Sequence, residues 1–186
     1  MAKPIDLQNP INYAERYKFK SAVYIRVHRE KSKNKQMLSQ NFGILILVLS
    51  TLSSSTLYAF YFKNPSAVIQ PVVLGLSLFT AILTAIQSFF RWSEKSIKHK
   101  KAAGEFMNVH FTMVNLILKF ESYSLPLTEL VREKVIDEIT KVMLKYSQAT
   151  ADAPTVSDRD YQHYKKQEIA SSTEKINPST DKPVEK

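Results

Sequence analysis

Apolar and polar positions are distributed very unevenly along this chain. Between Gln36 and Phe90 the only charge is Lys63. It separates two uncharged runs of 27 residues each, Gln36–Phe62 and Asn64–Phe90. About 20 consecutive apolar residues suffice to cross the hydrocarbon of a bilayer. The pattern therefore predicts an all-α integral membrane protein: a two-span transmembrane helical hairpin with cytosolic helices before and after it. The spans fall at residues 41–62 and 67–90. A short external turn, 63–66, joins them, and Pro65 stops the helix there. The competing reading is a soluble all-α protein with two buried helices, which seldom needs two such runs in succession.

The flanks carry helical periodicity of their own. Residues 1–10 hold two prolines and read as a loose N-terminus. Residues 11–40 lack proline and glycine and read as a basic amphipathic helix, with Tyr13, Tyr17 and Tyr24 towards one face. Aromatic residues close both spans, at Tyr58–Phe62 and at Phe89, Phe90 and Trp92, as expected at membrane–water interfaces. Beyond Trp92 only Gly104 interrupts the helix formers before Pro126, so the second span is expected to continue as one long helix. On it Ala103, Phe106, His110, Met113, Ile117 and Phe120 alternate spacings of three and four, a heptad seam suited to joining helices or copies of the chain. After Pro126, Leu127, Leu130, Val131, Ile136, Ile139, Met143 and Leu144 predict an amphipathic helix. These residues and Tyr17 are expected to form a small bundle within a cytosolic helical region, 91–165. The tail, 166–186, is short of apolar residues and is expected to be disordered.

Charge refines the picture. The net charge is +9 and the pI about 9.6. Residues 1–40 carry +6 and residues 91–101 carry +4, while the tail from Ala102 onward sums to −2. Arg29, Lys31, Lys33 and Lys35 on one flank, with Arg91, Lys95 and Lys98 on the other, are candidate contacts to a bilayer surface with anionic lipid. The positive-inside rule puts both termini in the cytoplasm, in a multi-pass protein of the inner or plasma membrane. No nucleic-acid motif accompanies the basic charge, so nucleic acid is not an expected partner. The first forty residues read as too charged for a signal peptide, and no lipid anchor is expected. With no cysteine, a disulfide framework is not possible.

Candidate chemistry is sparse. Three glycines, Gly43, Gly75 and Gly104, cannot build a phosphate-cradling loop. His28, His99, His110 and His163 lack metal-ligand spacing, and His110, in the apolar seam, reads as a satisfied core or interface residue. Neither catalysis, nor a metal, nor another cofactor is expected. The spans hold no carboxylate, which argues against a proton-driven transporter. They do hold polar residues. Gln70, Ser77, Thr80, Thr84 and Gln87 form one stripe of the second span, and Ser50–Thr56 is crowded with hydroxyls. Such residues either pack helices together or line a pore in a homo-oligomer.

The order of parts resembles a known family. A basic helix with Ala22-Val23-Tyr24-Ile25-Arg26 leads into the two apolar runs. The stretch from Arg91-Trp92 to His99-Lys100-Lys101-Ala102-Ala103-Gly104-Glu105-Phe106 follows, then Tyr146-Ser147, Ala153-Pro154-Thr155-Val156 and Tyr161. Over about residues 10–165 this is similar to the SLATT superfamily, two-transmembrane effectors associated with SMODS nucleotidyltransferases and SLOG sensors. The resemblance implies an oligomerising membrane effector of a conflict or antiviral defence system. It would form or gate a pore, or perturb the membrane, when a separate sensor or nucleotidyltransferase system triggers it. It carries over no catalytic residue. The alternative function is a non-conducting membrane scaffold that recruits a cytosolic partner.

Overall fold

A computed structural model describes residues 10–62, 69–121 and 129–176. Within them every regular element is a helix: α1 Pro10–Phe62, α2 Ile69–Phe90, α3 Trp92–Glu121, α4 Glu129–Asp152 and α5 Asp158–Ile176. The loose N-terminus, the turn at 63–66 and the break at Pro126 lie outside the described residues. The chain divides into two compact units, one formed by Met1–Glu30 with Lys98–Lys186, the other by Lys31–Ile97.

In the unit Lys31–Ile97, α1 turns one face inward. Ser32, Lys35, Ser39, Phe42, Ile46, Leu49, Ser53 and Thr56 are buried or half-buried. Their spacings alternate between three and four, the repeat of helices that coil around a neighbour. On α2 the matching positions are Val73, Leu76, Thr80, Leu83 and Gln87. The contacts run in opposite order along the two segments. Ser32 meets Ser96 (Oγ–Oγ 3.1 Å), Phe42 packs on Trp92 (ring centroids 4.7 Å apart), and a Cβ on Gly43 would stand 3.8 Å from Gln87 Nε2.

The second apolar segment does not continue as one unbroken helix. Arg91 has φ 45°, in the left-handed region, between α2 and α3. The Arg91 N–H still donates to the Gln87 carbonyl (3.2 Å), and Lys95 N–H donates to the Arg91 carbonyl (3.0 Å). A residue scan for proline and glycine cannot detect this break, because arginine stands where glycine is usual.

The other unit is a four-helix arrangement of the first part of α1 with α3, α4 and α5. Its core joins Ala14, Val109, Met113, Leu116, Ile117, Phe120, Val135, Ile139 and Val142. Met113 and Ile139 are fully buried; truncating either to alanine costs roughly 2–5 kcal/mol. Leu144, expected on the apolar face of α4, is instead exposed, and Val135, Val142 and Ala149 are buried in its place. Next to this core lies an aromatic layer. Tyr24 stacks on Phe106 (4.7 Å), and Tyr146 meets Tyr17 edge-on (5.0 Å). Lys119–Glu138 (2.8 Å) ties α3 to α4, and Arg26–Glu168 (3.4 Å) ties α1 to α5.

Helix α5 runs through 166–176, where composition suggested disorder. Ser157 caps it: its Oγ accepts from Asp160 N–H (3.2 Å) and donates to the Asp160 carboxylate (2.7 Å). Such a cap satisfies an otherwise orphaned N–H of the first turn. Residues 177–186 lie outside the described residues.

Candidate functional site

The apolar helices show their side chains outward. Ile44, Leu47, Val48, Leu52 and Tyr58 of α1 and Val72, Leu74, Leu78, Phe79, Ile82 and Phe89 of α2 are all exposed. Both helices are long and apolar enough to cross a membrane. Only 6% and 11% of their most apolar stretches are buried, which separates them from the core helices of a soluble protein. In water so much contiguous apolar surface would be costly.

The predicted polar stripe divides between two faces. Thr80 and Gln87 are half-buried, on the face of α2 that also buries Val73 and Leu83; Ser77 and Thr84 are exposed beside it. The side chain of Gln70 lies outside the described residues. The threonine hydroxyls of the stripe are satisfied by their own helix. Thr80 Oγ1 donates to the Leu76 carbonyl (2.8 Å) and Thr84 Oγ1 to that of Thr80 (2.9 Å). In α1, Thr51, Ser54, Ser55 and Thr56 donate likewise to Leu47, Ser50, Thr51 and Leu52. Ser53 differs: its Oγ is buried without a hydrogen-bond partner. Back-bonding lets a hydroxyl face lipid, water or a second helix without an orphaned donor.

The basic residues flank this surface. Arg29, Lys33, Arg91, Lys95 and Lys98 are exposed; Lys31 and Lys35 are half-buried. Arg29 Nη2 reaches Met107 Sδ (3.3 Å), and Arg91 pairs with Glu94 (3.5 Å). Burial, then the Lys95 and Lys31 charges, hold the Lys35 ammonium below the usual lysine value. Trp92 stacks on Phe90 (5.3 Å) and meets Phe42 at a tilt, an aromatic set at the end of α2. Phe42 belongs to it only through the fold, since fifty residues separate it from Trp92.

The heptad seam of α3 lies inside the chain. Ala103, Phe106, Met113, Ile117 and Phe120 are buried, Phe106 and Met113 completely. His110 is half-buried and its Nδ1 lies 3.1 Å from the Lys18 carbonyl, which makes that nitrogen the donor. The seam thus joins α3 to α1 and α4 of the same chain and is not open to a second copy. On a parallel stripe of α3, Phe111 and Leu118 are exposed (58% and 59%), while Gly104, Met107 and Val114 are half-buried.

Sequence spacing missed one contact altogether. His28 and His99, 71 positions apart, are both buried, with Nδ1 atoms 2.9 Å from each other. No local pattern announces such a pair. A cleft of about 590 Å³ between α3 and α4 is lined by Lys98, Lys101 and Lys145 but also by Glu105 and Asp152, so its charge favours no single ligand. Among the described residues no three His, Asp or Glu side chains cluster as a metal site.

Two apolar helices with outward-facing side chains fit a two-transmembrane layout. The model of the SMODS and SLOG-associating 2TM effector domain family 4 covers residues 15–175. The chain belongs to this SLATT family. The match extends from the first turns of α1 to the end of α5, so it includes both apolar segments and the whole four-helix unit. The family name describes a two-transmembrane effector domain, and the two apolar helices agree with it; this SLATT chain is a membrane protein. No curated protein and no solved structure matches it.

Proposed function

We propose that this SLATT chain is a membrane effector of a conflict or defence system. It inserts as a two-span hairpin with both termini in the cytoplasm. It assembles into a homo-oligomer that forms or gates a pore, or perturbs the bilayer, when a separate sensor or nucleotidyltransferase system signals. The observation that carries this reading is the outward apolar surface of α1 and α2, bordered by a stripe with exposed Ser77 and Thr84. One hairpin is too narrow to enclose water, whereas several copies can turn such stripes towards a common axis. Since the first α3 seam is filled within the chain, the stripe from Gly104 to Leu118 is the face proposed to join copies. The basic flanks and aromatic ends suit an anionic bilayer surface.

A specific observation favours a second reading, the non-conducting scaffold. The described threonines of the stripe are satisfied by back-bonding, so they do not require water. Ion flux from liposomes and oligomer size, measured on the same samples, separate the two. The pore reading expects Ser77→Leu/Thr84→Leu to lower flux several-fold with the oligomer intact, because leucine makes a constriction that resists wetting. Absence of flux from wild-type oligomers under activating conditions supports the scaffold. Unchanged flux in the double variant removes the stripe from the pathway.

A further inference from the structure

Acid sensitivity can be built from two imidazoles held nitrogen to nitrogen. His28 on α1 is fully buried and His99 on α3 is 5% exposed, with their Nδ1 atoms 2.9 Å apart. At that distance one Nδ1 must carry the hydrogen and the other must offer its lone pair. The pair therefore accommodates one imidazolium at most. Protonating both rings would set two N–H groups against each other, with two like charges in a buried place.

We propose that the His28–His99 contact is an acid-opened latch between α1 and α3. The surroundings bear on its direction. Tyr24 lies over His28 from α1 (centroids 6.2 Å) and Phe106 from α3 (5.7 Å). Arg29 follows His28, while Lys98 and Lys100 bracket His99; all three are exposed cations that oppose further positive charge. From α4 comes Tyr146, against Tyr24 and Phe106; from α5 comes Tyr161, against Tyr24. Further along the half-buried side of α5 are Asp160, Tyr164, Lys165 and Glu168. Asp160 accepts from Ser157 and Glu168 pairs with Arg26, so both carboxylates have local cationic or donor partners. Phenols remain neutral in the acid range, and burial pushes those of Tyr146 and Tyr161 further up.

The sign follows from proton counting. The closed pair binds up to three ring protons, and the separated pair binds four. Acid therefore favours separation, and the contact strengthens as pH rises through the imidazole range. Below about pH 6.5 the opening equilibrium should increase up to a hundredfold per pH unit while the closed pair is neutral, and up to tenfold once it holds a third ring proton. The latch joins the two helices that flank the apolar segments, so it offers a control on the cytosolic unit whether or not the oligomer conducts.

The test uses the full chain in nanodiscs with 15N-labelled histidine. At about pH 7.5 one of the two rings should show a protonated Nδ1 and the other a bare Nδ1. Near pH 5 both should become cationic, and amide exchange in 22–30 and 98–106, corrected for its intrinsic pH dependence, should accelerate at least tenfold. In His99→Gln the amide still pairs with His28 but cannot titrate, so this acceleration should vanish. Two cationic rings with unchanged protection would overturn the latch. So would rings that stay neutral with the contact intact at low pH, or an equal acid step in His99→Gln. If that variant fails to fold, the wild-type spectra and exchange decide alone.

Discussion

Arg91 adopts a backbone conformation that its side chain does not favour. A non-glycine residue in the left-handed region costs roughly 1 kcal/mol, and its exposed ion pair with Glu94 returns little of that. The substitution series has a distinctive order. Arg91→Gly should be neutral or slightly stabilising, and Arg91→Val should destabilise by about 1–2 kcal/mol. An unbroken helix would reverse the order, since glycine is the poorer helix former. Thermal melts in detergent check this. Tyr146 makes a second prediction. Burial first, then Tyr24 and Tyr161, push its phenol well above the ordinary tyrosine value. Its raised folded pKa means that its contribution to stability is full below about pH 10 and is lost as pH rises further. Alkaline melts should show that loss, and Tyr146→Phe should flatten it. An equally steep alkaline loss in Tyr146→Phe would contradict the account.

At the scale of elements, the helices with strong apolar periodicity were legible from sequence and the rest was not. The seam on α3 could be read because Phe106, Met113 and Ile117 repeat at helical spacing. Its partner could not, because spacing does not say whether a face meets another segment or another molecule. Ser32, Ser39 and Ser53 belong to the inward face of α1, yet a hydrophobicity pattern treats them as polar interruptions. Helix α5 lacks an apolar stripe, and its signal was instead the Ser157–Asp160 cap with acidic residues in the first turn. Ser157→Ala should therefore destabilise α5 by about 1 kcal/mol. Limited proteolysis should then cut within 158–176 faster, while the α3–α4 core stays protected. Unchanged cleavage would mean that Arg26–Glu168 and Tyr161 hold the helix without the cap.

For the whole molecule, one charge between two 27-residue apolar runs already implied a membrane. The structure adds the decisive contrast between units: Phe106 and Met113 are sealed in one, while Leu47 and Leu78 are 68% and 65% exposed in the other. Orientation across the bilayer rests on the basic flanks and is open to direct measurement. The chain has no cysteine, so single cysteines report cleanly. Lys33 and Ser93 are exposed and suit labelling, unlike the buried Ser32 and Ser96; Ser66 lies in the expected external turn, outside the described residues. With an impermeant maleimide on intact cells, Ser66→Cys should label at once, and Lys33→Cys and Ser93→Cys only after lysis. Leu47→Cys and Leu78→Cys should stay protected in both conditions while the membrane is intact. Labelling of Lys33→Cys or Ser93→Cys from outside, or ready labelling of both leucine positions, would contradict a two-span hairpin with cytoplasmic ends.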